Sequence, residues 1–131
     1  MSNKDRIRQL AKKYGLGEND FWQLPNNKNV WIIKHDAVEK ISKLEDIEFS
    51  EPTVVEHGRD YCALLGSAFM QTGEEPAKEW SFGEADLKLN CTARYPYAMA
   101  EKRLKDRLTL KLISAYEYGI YSEEEAEAFK K

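Results

Sequence analysis

Apolar positions recur at helical spacing in three stretches of the chain, and shorter apolar runs with strand character lie between them. In KDRIRQLAKKY, residues 4–14, Ile7, Leu10, Ala11 and Tyr14 fall on one helical face, and Gly15 and Gly17 supply the stop. PNNKN at 25–29 is a turn by composition, and VWII at 30–33 is a short strand-like run. Asp36 is placed to cap a second helix, AVEKISKLE, whose Ala37, Val38, Ile41 and Leu44 share a face. The period then changes. Pro52 suits a loop or the start of an edge strand, TVVEH at 53–57 is β-branched, and GRD at 58–60 is a turn. YCALLGSAFMQT at 61–72 is long and apolar enough for a central strand, with Gly66 as a bulge or bend. After the turn EEP at 74–76, KEWSFGEA at 78–85 sets Trp80, Phe82 and, less cleanly, Glu84 against polar neighbours. A polar connector, DLKLNCTARY, leads to a long helix over 96–116, with Pro96 in its first turn and Gly119 beyond its end. Ser122 and Glu125 then form a capping box for a short terminal helix, SEEEAEAFKK.

Strands run together and are followed by helices, which predicts an α+β fold with an antiparallel sheet. The expected architecture is a three- to four-stranded antiparallel sheet, a β-β-β-α core over residues 51–117, packed by the long C-terminal helix. An N-terminal segment of helix and strand at 1–50 precedes that core, and a short acidic helix at 118–131 follows it. With 131 residues, no internal repeat and no low-complexity linker, the chain reads as a single domain.

The long helix carries two patterns at once. Tyr97, Ala100, Leu104, Leu108 and Ala115 lie near one stripe, widened by Leu112 and Ile113, and this stripe packs on the sheet. Arg103, Arg107 and Lys111 recur at i, i+4 and i+8 as a separate ridge, which Lys102 and Lys105 extend around the helix. Only Glu101 and Asp106 oppose them. Like charges at this spacing repel, so a solvent-facing helix gains little from the arrangement. A phosphate backbone would relieve the repulsion and release condensed counterions. Arg94 beside Tyr95 and Tyr97 sets cations next to rings that can stack bases. The competing explanations are a solvated face for the cations and core packing for the tyrosines.

Composition adjusts this picture only in part. Charged residues make up 33% and hydrophobic residues 42%, mean hydropathy is -0.68, and no apolar run approaches a membrane span. The charged N-terminus MSNKDRIRQL has no signal-peptide apolar stretch, so a cytoplasmic location is expected. Net charge is -3, which argues against coating nucleic acid through overall positive charge, although distribution matters more than the total. Cys62 and Cys91 are isolated and predict neither a disulfide framework nor a zinc site. His35 and His57 sit on different segments without ligand-spaced neighbours, so neither a metal site nor a catalytic dyad is expected. No GxxxxGK, GxGxxG, HExxH or GxSxG pattern occurs, which leaves no catalytic residue and no cofactor to name.

The stretch WSFGEADLKLNCTARYPYAMAEKRLKDRLTLKL resembles the strand, connector and helix of phage single-strand annealing proteins of the ERF and RecT type. Their superfamily includes the eukaryotic Rad fifty-two annealing protein. The most specific part is AMAEKRLKDR at 98–107, and the likeness covers about half the chain. It implies a β-β-β-α core whose subunits assemble as a homo-oligomer, a ring or filament. Such an assembly holds single-stranded DNA in a basic groove and pairs it with a complementary strand without ATP. Lys102, Arg103, Lys105, Arg107 and Lys111 match the basic positions of that motif, and with Arg94 and Tyr95 they are the expected nucleic-acid contacts. The chain is shorter than most members, and its net charge is negative. The rival expectation is a small interaction or inhibitor protein that engages a host protein through an acidic surface.

Overall fold

In the computed structural model, which describes residues 2–72, 74–92 and 94–125, the chain is α+β with two sheets. Helix α1 (Asn3–Tyr14) begins at Ser2, whose hydroxyl accepts the Asp5 amide at 3.2 Å, and stops at Gly15, which turns left-handed at φ 66°. It buries Ile7, Leu10 and Tyr14. Strands β1 (Phe21–Leu24) and β2 (Asn27–Ile33) form an antiparallel hairpin, and α2 (His35–Leu44) follows directly. Near the C-terminus, β7 (Ile120–Ser122) joins β2 in parallel and completes a three-stranded sheet in the order β1-β2-β7. Ile33, Val38, Ile41, Leu110 and Ile120 form the centre of the core shared by this sheet, α1 and α2.

The second sheet is built on β5 (Tyr61–Thr72), which pairs along its whole length with β6 (Glu75–Asp86). Its other side pairs with β3 (Glu48–Phe49) and β4 (Thr53–His57), which lie end to end along one edge with Pro52 in the break. Helix α3 (Pro96–Leu112) covers one face of this sheet. Alternate residues of β5, Cys62, Leu64, Ala68 and Met70, point into the core against Ala100, Leu104, Leu108 and Leu112. The β-β-β-α unit expected from the pattern is therefore present, packed by the long helix.

Several details depart from the pattern. β1, β3 and β7 were not expected; each has four residues or fewer, and β3 and β7 become strands only through partners distant in sequence. The long helix ends at Leu112, because Ser114 turns left-handed at φ 58° and opens a short 3-10 helix, Ala115–Tyr118. Lys34, not Asp36, is the N-cap of α2, and Leu44 is exposed although its spacing matches the buried face. Tyr97, expected on the packing stripe, is exposed as well. Residues 123–125 form a 3-10 turn where a terminal helix was expected; the rest of that segment lies outside the described residues.

Gly66 is not a bulge. Every residue of β5 from Tyr61 to Thr72 pairs in register with β6, Gly66 opposite Ser81. Its role is close approach: a Cβ at Gly66 would stand 2.8 Å from Leu104 Cδ2. At Gly83, facing Leu64, a Cβ would meet the Ala100 carbonyl oxygen and lie 2.7 Å from the Leu104 amide nitrogen. A leucine tip can rotate away, whereas helix backbone cannot. Gly83→Ala is therefore expected to lose about 2–3 kcal/mol in urea unfolding through overpacking, and Gly66→Ala clearly less. Equal losses at the two positions would contradict this account of the helix–sheet contact.

Candidate nucleic-acid interface

The ridge on α3 turns inward across the free edge of the sheet. Among the described residues β6 has β5 as its only strand neighbour, so the carbonyls on its other side lack a ladder partner. Arg103 Nη1 donates to Glu84 O at 2.9 Å, Arg107 Nη1 to Phe82 O at 2.7 Å, and Lys111 Nζ to Trp80 O at 3.0 Å. The spacing explains why all three connect. Four helical residues rise about 6 Å and two strand residues about 6.6 Å, so i, i+4 and i+8 on a helix match alternate carbonyls of an antiparallel strand. The close packing at Gly66 and Gly83 brings the helix within side-chain reach of that edge.

Each arginine is then consumed by further partners. Arg103 is only 4% exposed and also donates to Asn90 O at 2.6 Å, Asn90 Oδ1 at 3.1 Å and Glu124 O at 3.1 Å. Guanidinium is the cation suited to this position, because its planar fork directs several donors at fixed acceptors. Arg107 forms a bidentate pair with Glu84, at 2.9 and 3.0 Å, and Nε meets Glu125. The Arg107 hydrogen bonds hold the Glu84 carboxyl below its usual range. Lys102 lies 3.5 Å from Glu124, and Lys105 lies 3.5 Å from Glu101 and over the Phe49 ring. Lys111 also sits over the Trp80 ring, 5.8 Å from its centroid. The turn at 123–125 thus supplies carboxylates and a carbonyl to the very helix that the sequence pattern offers to DNA.

A second polar cluster joins α2 to α3. His35 Nδ1 meets Asp106 Oδ1 at 2.8 Å, and Nε2 meets Glu39 Oε1 at 2.8 Å. Glu123 Oε1 accepts the His35 amide at 2.8 Å, at the first turn of α2, where a carboxylate is favoured. The hydrogen bond that His35 donates to Asp106 raises the His35 pKa to about 9 against the opposing effect of burial, with Glu39 adding to the rise. Burial pushes the Asp106 carboxyl up to about 6, and His35 pulls in the opposite direction. Spacing along the chain could not reveal this pair, because its members are 71 positions apart. The arrangement orients an imidazolium between two carboxylates; among the described residues no group of three His, Cys, Asp or Glu is placed to hold a metal.

Of the residues expected to touch DNA, Arg103 is buried, and Arg107, Lys102, Lys105 and Lys111 have internal partners. Arg94 and Tyr95 differ. Both are exposed, at the N-terminal end of α3, and Tyr95 is 58% exposed. Tyr97 Oη donates to Gly58 O at 3.0 Å and lies 3.3 Å from His57 Nδ1, which brings the β4–β5 turn, with exposed Arg59, against this end of the helix. No ion pair involves Arg59 or Arg94 among the described residues. Sequence reasoning missed His57 and Arg59, because nothing at 57–59 signals that the turn meets residue 97. No helix among the described residues is long and apolar enough to cross a membrane. Compared with protein-family models, curated proteins and solved structures, the chain matches none.

Two outcomes follow from this geometry. Arg103→Met should destabilise the fold by about 3–5 kcal/mol, because the Glu84, Asn90 and Glu124 acceptors lose a buried charged donor. Thermal or urea unfolding measures this, and a variant as stable as the parent would remove Arg103 from the framework. The second outcome concerns pH. A raised His35 pKa means that the fold favours the imidazolium, so its stabilisation is complete below about pH 6.5 and disappears as pH rises through about 9. Stability should fall over that window by about 3 kcal/mol. The His35→Asn/Asp106→Asn variant should show a flatter profile, and an equally steep one would assign the loss to other groups.

Proposed function

We propose that this protein binds single-stranded DNA and promotes ATP-independent strand annealing of the phage recombination type. The observation that carries this reading is the cation–aromatic patch of Arg94, Tyr95, Tyr97, His57 and Arg59. Single-strand binding needs rings on which bases stack and cations that follow the backbone, and the patch combines both without internal ion pairs among the described residues. The likeness of AMAEKRLKDR to annealing proteins supports the same reading. The ridge of Arg103, Arg107 and Lys111 enters it as scaffold for the helix, not as the contact surface.

Annealing also needs many nucleotides held together, which calls for a homo-oligomer. With the β6 edge occupied by side chains from α3, the opposite edge of the same sheet offers β4 for joining subunits, where Val54 and Val55 are half exposed. A second reading, a module that binds a host protein, draws on the outer face of the same sheet. There Trp80, 62% exposed, and Phe82 line a groove of about 550 Å³, and Glu48 and Glu56 share that face by register. An apolar face with acidic surroundings suits a protein with a basic, apolar surface better than it suits DNA.

Binding of a labelled oligo(dT) across a salt series tests the first reading. Arg59→Ala/Arg94→Ala should lower the slope of log affinity against log salt by about 1.4, or about 0.7 for each phosphate contact. Tyr95→Ala should cost about 1–3 kcal/mol of binding through lost stacking. Slopes and affinities equal to those of the parent would dismiss the patch. Absence of any gel shift at micromolar protein in low salt would favour the protein-binding module.

A further inference from the structure

The ridge cations of the long helix are committed to partners on β6, and a second cationic ridge stands on α1. On α1, Lys4, Arg8 and Lys12 stand at i, i+4 and i+8, the same spacing as Arg103, Arg107 and Lys111, and all three are exposed. Arg6 and Lys13 are exposed on the same helix. Among the described residues the only ion pair on α1 is Arg8 with Asp5, at a long 3.9 Å. The twelve residues of α1 hold five cations and one anion, a charge of +4 in a chain whose net charge is -3, so the remaining residues total -7. A positive ridge on an otherwise acidic molecule concentrates the field for an anion at one surface and weakens it elsewhere.

We infer that the Lys4–Arg8–Lys12 ridge of α1 is a phosphate-binding track for the backbone of single-stranded DNA, an assignment that rests on the DNA-binding reading above. The helix is held in place for that role. Ile7, Leu10 and Tyr14 anchor its inner face in the core, Arg6 stacks over Tyr118 at 5.2 Å, and Lys40 Nζ donates to Gly15 O at 2.9 Å. Successive ridge cations rise about 6 Å along the axis, so the three span about 12 Å of backbone and can meet separate phosphates. Because like charges at this spacing disfavour a helix, phosphate contact would relieve a repulsion that the described fold offsets only through the long Arg8–Asp5 pair. α1 packs near the C-terminal end of α3 through Tyr118, whereas Arg94 and Tyr95 lie beyond its N-terminal end. The two surfaces therefore divide the work: α1 supplies base-independent, salt-sensitive attraction, and the aromatic patch supplies stacking.

The test compares Lys4→Gln/Arg8→Gln/Lys12→Gln with the parent and with a charge-matched control, Lys28→Gln/Lys34→Gln/Lys43→Gln, whose lysines are exposed elsewhere. Glutamine preserves helix propensity, and circular dichroism with thermal unfolding verifies that each variant is folded. The measurement is anisotropy of a fluorescein-labelled oligo(dT) over a salt series. Loss of three phosphate contacts should lower the salt slope by about 2 in the α1 variant and leave the control at the parental slope. A parental slope in the α1 variant, or an equal drop in the control, overturns the α1 assignment while DNA binding stands. A parent protein that binds no oligo(dT) in low salt overturns the DNA reading and this assignment together.

Discussion

An open strand edge beside a cationic helix organises this molecule. β6 ends its sheet with carbonyls at Trp80, Phe82 and Glu84 that no strand among the described residues pairs, and α3 runs along that edge with donors at matching intervals. Charge-assisted hydrogen bonds are the stronger kind, so the carbonyls are satisfied without a fourth ladder. The same contacts make β6 a poor template for another strand, which is one of the ways a sheet edge is protected from uncontrolled pairing. The small residues at positions 66 and 83 are part of this device, because they let the helix backbone approach the strands closely enough for the side chains to reach over.

Concentrating cations along α3 creates a demand for anions, and the chain meets it from two distant places. Glu84 comes from the sheet itself, and Glu124 and Glu125 come from the turn after β7, while Asp106, on α3 itself, turns its carboxylate inward to His35. Each pair joins elements distant in sequence. The result is that α2, α3, the second sheet and the C-terminal turn share one polar network, while apolar packing proceeds in separate clusters on either side of it. Buried charges of this kind are costly if one partner is removed, which makes the network a determinant of how the two sheets are joined.

The network also decides what the surface offers. Once Arg103 and Arg107 are committed internally, exposed cations without carboxylate partners remain on α1 and at the N-terminal end of α3, where they lie beside tyrosines. A net negative protein can still present a polyanion with a favourable approach, because distribution governs the local field more than the total does.

Periodicity alone determined the fold class, the three helices, the central strand at 61–72 and the stripe that α3 lays on the sheet, because these depend on the local alternation of apolar and polar residues. It also identified the cations at 103, 107 and 111 as a ridge. What it could not determine was which way a ridge faces. Lys4, Arg8, Lys12 and Arg103, Arg107, Lys111 are the same pattern, yet one set is exposed and the other is occupied. The difference lies in acceptors 13 to 31 positions away, on β6, in the turn before α3 and after β7. The short strands β3 and β7 and the His35–Asp106 pair escaped for the same reason. Local spacing records what a residue can do, and the hydrogen-bonding partner that decides between solvent and interior is brought into reach only when the chain has folded.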